Sequence, residues 1–242
     1  ICPVNLRLIF RMQLTNLDNT EEFDDRDFRA LNYLGSKLRI IDFIEKAIDG
    51  VSSSNCGVCD LFAGGGSVTY RLSRNRKVVS SDIQEYSRVI CSALTSSINR
   101  SRFDKNEFIK SIYSTTSSDV LYAFEPLVEF ESKALSTNDA ESMAHIIENG
   151  SIEVYRIERK ASPLSERIDS VLSRLASKQV KGFSTKIACY YGGIYFSYIQ
   201  AIQIDRILNA IENVKFEYKD ICLAALLSSV SDIVNTVGKQ FA

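Results

Sequence analysis

The sequence is poor in several residue types, and each shortage excludes a class of protein. Its 242 residues include no tryptophan, one histidine and three prolines. The apolar run near the C-terminus, Ile221–Leu227, is far shorter than the roughly 20 residues that span a bilayer. Residues Ile1–Phe10 lack the long apolar core and the small-residue cleavage site of a secretory signal. The sequence therefore predicts neither a membrane protein nor a secreted one.

The charge balance excludes a strongly basic nucleic-acid binder as a description of the whole chain. Lys plus Arg is 29 and Asp plus Glu is 30, which gives a net charge of −1. A local basic face remains compatible with this balance. Hydrophobic residues at 45% and charged residues at 24% are typical of a soluble globular domain. This composition excludes a disordered tail and a low-complexity linker, and the length suits one or two domains.

The six cysteines are spread through a chain that is long enough to build its own core, which predicts reduced thiols and a cytoplasmic location. They are Cys2, Cys56, Cys59, Cys91, Cys189 and Cys222. Cys56 and Cys59 form a C-x-x-C, but no second pair exists to complete a zinc site. We expect a buried structural pair there, and we expect no metal site in the chain.

Alternating apolar segments and turns predict an α/β fold after a polar leader at residues 1–30. A helix with Leu38, Ile41, Ile44 and Ile48 on one face ends near Gly50. The following segments are predicted to be a strand, a glycine turn, a helix, a strand and a helix, at Gly57–Phe62, Ala63–Gly66, Ser67–Leu72, Lys77–Ser81 and Ile83–Ile98. This order is that of a partial doubly wound, Rossmann-like sheet with parallel strands.

The middle of the chain shows helical patterns without strands. Helices are predicted around 104–113, 119–134, 138–148 and 163–178, and two more follow residue 200. We therefore predict four segments: the leader at 1–30, an α/β part at 31–103, a mainly helical insertion at 104–199, and helices that return to the α/β core at 200–242.

The glycine turn carries the clearest chemical signal. Residues 60–67 read Asp-Leu-Phe-Ala-Gly-Gly-Gly-Ser, and glycines there let the backbone approach a ligand closely. Asp82 ends the next strand, where an acid can accept hydrogen bonds from ribose hydroxyls. A plain tight turn is the alternative. The dinucleotide fingerprint fits poorly because its third glycine would fall at Thr69, and no phosphate-binding G-x-x-x-x-G-K-[ST] is present.

Three segments in this order resemble the first motifs of the Dam-type (D12 class) adenine-N6 DNA methyltransferases. They are Asn32–Lys37, Asp60–Val68 and Ser81–Ile83. The resemblance implies a fold that binds S-adenosylmethionine, methyl transfer to adenine in double-stranded DNA, and a place in a restriction–modification system. It also implies that the helical insertion recognises the DNA target. The clear motifs cover residues 32–83, and a looser similarity continues to the C-terminus.

The resemblance also assigns cofactor contacts by position. Lys37 would pair with the methionyl carboxylate, and Tyr33 would contact the cofactor from the same segment. Phe62, Gly64 and Gly66 would form the floor under it, and Asp82 would hold the ribose hydroxyls. Spacing alone would favour a solvated lysine at a helix start for Lys37.

The sequence departs from the family at the catalytic motif, Asp-Pro-Pro-Tyr. Its prolines are Pro3, Pro126 and Pro163, and none is adjacent to another. No catalytic residue is therefore assigned in this chain. We expect the N-terminal part of such an enzyme, or a split or degenerate one. The alternative is a non-catalytic cofactor- or DNA-binding subunit that needs a second polypeptide with the motif. A weaker third interpretation is an NAD-linked oxidoreductase.

Aromatic and basic residues near position 190 are the candidates for DNA contact. Tyr191 and Tyr195 could stack on bases, although such clusters more often pack in a core. Lys178, Lys181 and Lys186 could meet phosphates, or could simply be solvated.

Overall fold

A computed structural model describes residues 37–97, 102–114, 117–176 and 182–234. These residues divide into two compact units. The first contains 37–97, 102–103 and Lys215–Asp232, and the second contains 104–114, 117–176, 182–214 and 233–234. Tyr33, Lys178, Lys181 and the predicted leader lie outside the described residues.

The first unit contains two strands and four helices. After a 3₁₀ turn at Lys37–Ile40, the elements are α1 (Ile41–Val51), β1 (Val58–Asp60), α2 (Ser67–Ser73), β2 (Val78–Ser80) and α3 (Glu85–Thr95), with α11 (Phe216–Ile233) at the far end of the chain. The order of the elements from α1 to α3 agrees with the predicted one. The helix α1 continues past Gly50, and each strand is shorter than expected.

The two strands pair in parallel, with Val58 opposite Val78 and Asp60 opposite Ser80. Val58 and Val78 pack against an apolar cluster of α1 and α2 that includes Ile41, Val68 and Leu72. Successive side chains of a strand point to opposite faces, so Cys59 and Val79 lie on the other face, where both are exposed. Among the described residues, α1 and α2 cover one face of the sheet.

The expected buried pair of cysteines is wrong. Cys56 and Cys59 are both exposed free thiols. Cys59 faces the open side of the sheet because the alternation of the strand directs Val58 toward the helices.

The helix α3 packs against α11 through apolar contacts. Val89, Ile90 and Ala93 form a cluster with Ala224 of α11. At its edge Arg88 donates two hydrogen bonds to the Asp220 carboxylate, at 2.9 and 3.1 Å. This pairing brings residues from the two ends of the chain into one unit.

The second unit is helical. Its elements are α4 (Lys105–Ser114), α5 (Ser117–Thr137), α6 (Ala140–Asn149), α7 (Ile152–Glu158), α8 (Ser165–Leu175), α9 (Lys186–Tyr191) and α10 (Tyr198–Glu212). The core includes Val120, Phe124 and Leu127 of α5 with Ile168 and Val171 of α8, all fully buried. The sequence did not predict α7, a seven-residue helix that Ser151 caps by accepting from Val154 N.

The predicted fold class agrees with the structure in its coarse features. Within the described residues the sheet has two parallel strands, and most of the remaining structure is helical. Helix α10 belongs to the second unit and α11 to the first. None of the helices described in this chain is long and apolar enough to cross a membrane.

Candidate functional site

The loop that follows β1 and the segment that follows β2 lie side by side at the carboxyl ends of the two strands. Ser81 N donates to Asp60 O at 2.8 Å, and Ala63 N donates to Ser81 O at 3.2 Å. These two bonds continue the parallel ladder past the end of β1. They bring the glycine turn next to Asp82.

The Asp82 carboxylate closes the glycine turn. Its Oδ2 accepts a hydrogen bond from Gly64 N at 2.8 Å, and its Oδ1 accepts one from Gln84 N at 2.9 Å. The backbone N–H groups of Gln84 and Gly64 are the main reasons that the pKa of Asp82 is lowered from its usual value. The group is therefore ionised at neutral pH. A carboxylate offers about four lone-pair sites, so these two bonds leave capacity for two further donors.

Lys37 lies over the same loop. Its Nζ donates to the carbonyl oxygen of Phe62 at 3.3 Å. An ammonium has three donors, so this contact leaves capacity for an anionic group. The structure thus brings Lys37, Phe62, Gly64 and Asp82 together, as the sequence predicted, around one loop.

The three glycines of the turn differ in whether the fold requires a glycine at their position. Gly64 and Gly66 have φ values of 51° and 76°, in the left-handed region that favours glycine. A Cβ on Gly66 would also lie 3.1 Å from Leu94 Cδ1 and 3.3 Å from Cys91 Sγ, both on α3. A Cβ on Gly65 would meet nothing within 4 Å. Gly66 is needed by the fold, whereas Gly65 faces open space beside the loop.

Two apolar side chains next to the loop are almost fully solvent-exposed. Phe62 is 79% exposed and Ile83 is 96% exposed. Large apolar side chains at such exposure, beside polar groups that have capacity to bind, are typical of a surface that a ligand covers. Sequence reasoning selected Phe62 but missed Ile83, although its position directly after the strand-end acid was a usable signal.

Sequence reasoning also missed the contribution of Asp60 to this loop. Its Oδ2 accepts a hydrogen bond from Thr69 Oγ1 at 2.8 Å, and both residues are buried. This bond ties the end of β1 to the first turns of α2, on either side of the glycine turn. The signal was an acid at the end of an apolar strand, but its partner nine residues later could not be known.

In the second unit, the aromatic stretch separates into buried and exposed rings. Phe196 and Tyr198 are buried, whereas Tyr190, Tyr191 and Tyr195 are 49%, 42% and 42% exposed. The ring of Tyr191 lies 6.1 Å from that of Tyr190 and 5.8 Å, edge-on, from that of Tyr195. Lys186, at the start of α9, is exposed. We call Lys186, Tyr190, Tyr191 and Tyr195 the tyrosine patch.

Two buried carboxylates hold the elements around the tyrosine patch. Asp205 accepts hydrogen bonds from Ile187 N and Ala188 N at 3.0 and 2.8 Å, at the start of α9. Glu131 accepts one from Tyr198 N at 3.0 Å, at the start of α10. Burial raises the pKa of Asp205 to about 6 and that of Glu131 to about 7. Sequence reasoning selected neither residue, because helical spacing does not show which acid will be buried.

Among the residues that the structure describes, no group of three or more His, Cys, Asp or Glu side chains is placed to hold a metal ion. The residues that could hold a cofactor are those of the strand-end loop. They present one anion, one cation, two exposed apolar side chains and a glycine with open space above it. This donor and acceptor set fits a nucleoside that also carries a carboxylate.

Comparisons with known proteins identify a family for this chain. The profile of the D12 class N6 adenine-specific DNA methyltransferase family matches residues 33–236. A segment of 64 residues is 39% identical to the Type II methyltransferase M.NlaIII of Neisseria lactamica. That segment covers 25% of this chain and 19% of the relative, so the match spans about a fifth of the relative's length. No solved structure gives a significant match.

Proposed function

The chain belongs to the D12 class N6 adenine-specific DNA methyltransferase family, and from this premise we propose that its strand-end loop binds S-adenosylmethionine for methylation of adenine N6 in double-stranded DNA. One observation carries the proposal: the glycine turn closes on Asp82 through Gly64 N. That bond holds an ionised acid beside the loop, in the position from which an acid can accept hydrogen bonds from ribose hydroxyls. We further propose that β1 and β2, which carry this loop, belong to a larger Rossmann-like sheet.

Each residue of the loop has a proposed contact. Asp82 accepts hydrogen bonds from both ribose hydroxyls, and Lys37 pairs with the methionyl carboxylate. The exposed side chains of Phe62 and Ile83 cover apolar parts of the cofactor. Gly64 and Gly66 shape the floor. Tyr33 contacts the cofactor from the segment before Lys37.

The chemistry explains what the loop residues must achieve. The cofactor supplies an activated methyl group on a sulfonium. The adenine N6 is a weak nucleophile because its lone pair is delocalised into the ring. Acceptors for its hydrogens are therefore needed as the N–C bond would form, the S–C bond of the sulfonium would break to leave a thioether, and one proton would leave N6. The family's Asp-Pro-Pro-Tyr provides those acceptors, and its Tyr stacks on the flipped base. The loop residues hold the cofactor in line, and proximity contributes much of the rate.

We propose that the tyrosine patch contacts DNA. Its three exposed rings can stack on unpaired bases, and each stacked base contributes about 1–3 kcal/mol. Lys186 can contact a phosphate, as can Lys178 and Lys181, which precede it in the sequence. We assign target recognition to the helical segment that contains the patch, residues 104–199.

The absence of adjacent prolines from the sequence suggests a second candidate function. The 242 residues contain no two adjacent prolines, so the chain has no Asp-Pro-Pro-Tyr of its own. It would then be a cofactor- and DNA-binding subunit of a D12 class methyltransferase whose catalytic motif is on a second polypeptide.

Calorimetric titration with S-adenosylmethionine tests the cofactor site. We expect Asp82→Ala to weaken binding by about 30-fold or more and Lys37→Ala by about 10-fold, because each removes hydrogen bonds to a charged group. Asp42→Ala and Lys46→Ala remove exposed charges of the same types from α1 and should leave binding unchanged. Wild-type affinity in both loop variants, or tighter binding of NADH than of S-adenosylmethionine, would overturn the proposal.

A methyl-transfer assay separates the two candidate functions. The chain is incubated with duplex DNA and radiolabelled cofactor, alone and with a polypeptide that carries Asp-Pro-Pro-Tyr. Transfer that requires the added polypeptide supports the subunit interpretation. Efficient transfer by the chain alone excludes it and would require a different catalytic motif.

A further inference from the structure

Arg206, on α10, lacks the kind of partner that the other described arginines of the second unit have. Its Nε is buried and has no hydrogen-bond partner among the described residues. The ion pairs described in the second unit do not include its guanidinium. The other four arginines bind an acid or lie over a ring, in the pairs Arg156 with Glu153, Arg159 with Asp169, Arg174 with Glu125, and Arg167 with Phe130.

The environment of Arg206 is unfavourable for a cation that has no acceptor. A buried donor without a partner costs folding free energy, and a charge that has lost water costs more. Burial lowers the pKa of Arg206, opposed by Tyr113 of α4, and no acid is among the causes. The guanidinium nevertheless keeps its proton. Arg206 as a whole is partly exposed, and Nε is its one buried nitrogen without a partner, so the terminal nitrogens are open to a ligand from solvent.

The acid that precedes Arg206 in the sequence is used elsewhere. Both oxygens of Asp205 accept N–H groups at the start of α9. Asn209 exchanges two hydrogen bonds with the backbone of Ser184. These bonds hold the segment that carries Lys186 along α10. Around the axis of α10, Arg206 is about 100° from Asp205 and about 60° from Asn209, so it borders the face that this segment covers.

A guanidinium with open terminal donors suits a phosphate. Its planar fork matches two phosphate oxygens at once, which a lysine ammonium does not. Such charge-assisted hydrogen bonds are strong, and they are stronger where the surroundings have displaced part of the water. Since Arg206 borders the segment on which the tyrosine patch begins, the phosphate that suits this position is one in the backbone of DNA bound to that patch.

We propose that Arg206 binds a backbone phosphate of the DNA at the edge of the tyrosine patch. This rests on the proposed function. It extends the DNA interface past residue 199 into α10, a helix that the sequence pattern assigned to the α/β core and that belongs to the second unit. The phosphate supplies the acceptor that the described residues do not offer to the guanidinium.

Fluorescence anisotropy of a labelled duplex, titrated with the full chain at several salt concentrations, tests the proposal. Arg206→Met keeps the apolar stem and removes the charge and the donors. We expect it to weaken binding about 10-fold and to reduce the slope of log K against log salt concentration by about 1. Because phosphate contacts carry no base information, the loss should be the same for duplexes of different sequence.

Three further variants separate a phosphate contact from a structural role. Arg206→Lys keeps the charge without the fork, so it should keep the salt slope and lose less affinity. Arg206→Gln should behave like Arg206→Met and serves if that variant does not fold. Arg159→Met removes an exposed arginine that already pairs with Asp169; it is the matched control and should keep the wild-type slope. Arg206→Met should not lower the melting temperature, because it removes a buried donor without a partner.

Wild-type affinity and salt slope in both Arg206→Met and Arg206→Gln overturn the inference and leave the proposed function standing. A loss of affinity that appears only together with a loss of stability also overturns it. If inorganic phosphate raises the melting temperature of the wild type but not of Arg206→Met, while both bind DNA equally, Arg206 binds a free oxyanion and the assignment to DNA is wrong.

A wild type that binds no duplex overturns this inference together with the DNA part of the proposed function. Titration with S-adenosylmethionine then decides the cofactor part separately, because Arg206 is in the second unit and the strand-end loop is in the first.

Discussion

Asp82 and Asp205 each accept two backbone hydrogen bonds, yet they serve different purposes in their two units. Asp82 accepts from Gly64 and Gln84, and its pKa is lowered. Asp205 accepts from Ile187 and Ala188, and its pKa is raised to about 6. The hydrogen bonds are alike, so burial makes the difference: it removes water from Asp205 and disfavours its charge.

The comparison separates a carboxylate that is available to a ligand from one that anchors the fold. Asp82 is partly exposed to solvent, whereas Asp205 is 1% exposed and accepts from two N–H groups at the start of α9. A lowered pKa with open lone pairs is the feature to seek in a binding residue. A raised pKa on a fully enclosed acid is here a feature of a structural anchor.

The largest effect is expected from removing the anchor. Asp205→Ala leaves the N–H groups of Ile187 and Ala188 buried without an acceptor, and we expect a loss of about 2–4 kcal/mol in the free energy of unfolding. Asp205→Asn keeps one acceptor oxygen and should lose less. Urea unfolding measures both. If Asp205→Ala proved as stable as the wild type, Asp205 would not be an anchor.

The titration of Glu131, the second buried acid, should make the free energy of unfolding depend on pH. The folded-state pKa of Glu131 is raised from 4.5 to about 7, so the unfolded chain loses this proton first as pH rises. Glu131 therefore costs stability increasingly between about pH 4.5 and 7, by roughly 1–3 kcal/mol in total.

Glu131→Gln keeps an acceptor for Tyr198 N and cannot titrate. Its stability should fall less than that of the wild type over this pH window, as measured by urea unfolding at several pH values. Parallel pH curves for the two proteins would contradict the raised pKa.

Gly66→Ala should destabilise the first unit by about 1–2 kcal/mol. The left-handed backbone of Gly66 and the 3.1 Å approach to Leu94 both oppose a side chain. Thermal unfolding measures the loss. A stability equal to that of the wild type would mean that the turn can rearrange at little cost.

Gly65→Ala should change stability by less than about 0.5 kcal/mol, because its Cβ would enter open space. If the proposed cofactor covers the loop, the larger Gly65→Val should weaken its binding without affecting folding. Equal affinity of wild type and Gly65→Val would place the ligand away from this face of the loop.

Much of the strand-end loop could be predicted from the sequence because its determinants are local. A glycine run after an apolar strand and an acid at the end of the next strand are both visible in the residue order. The structure brings Phe62, Gly64 and Asp82 together, as that order predicts, with Lys37 above them. Their contacts with a cofactor remain predictions.

Other features depended on partners that are distant in the sequence. The bond of Asp60 to Thr69 and that of Glu131 to Tyr198 span nine and 67 residues. The exposed C-x-x-C was mispredicted because the covered face of a strand depends on which side the helices take. Helix α7 was missed because seven residues carry too little periodicity to predict a helix.

The sequence by itself determined the order of elements around the glycine turn and the presence of an acid at the end of β2. These follow from backbone preferences and apolar periodicity, which act over a few residues. Only the tertiary structure decided which carboxylates keep their contact with water and which lose it. Solvation depends on what packs around a group, and that packing is made by residues far away in the chain.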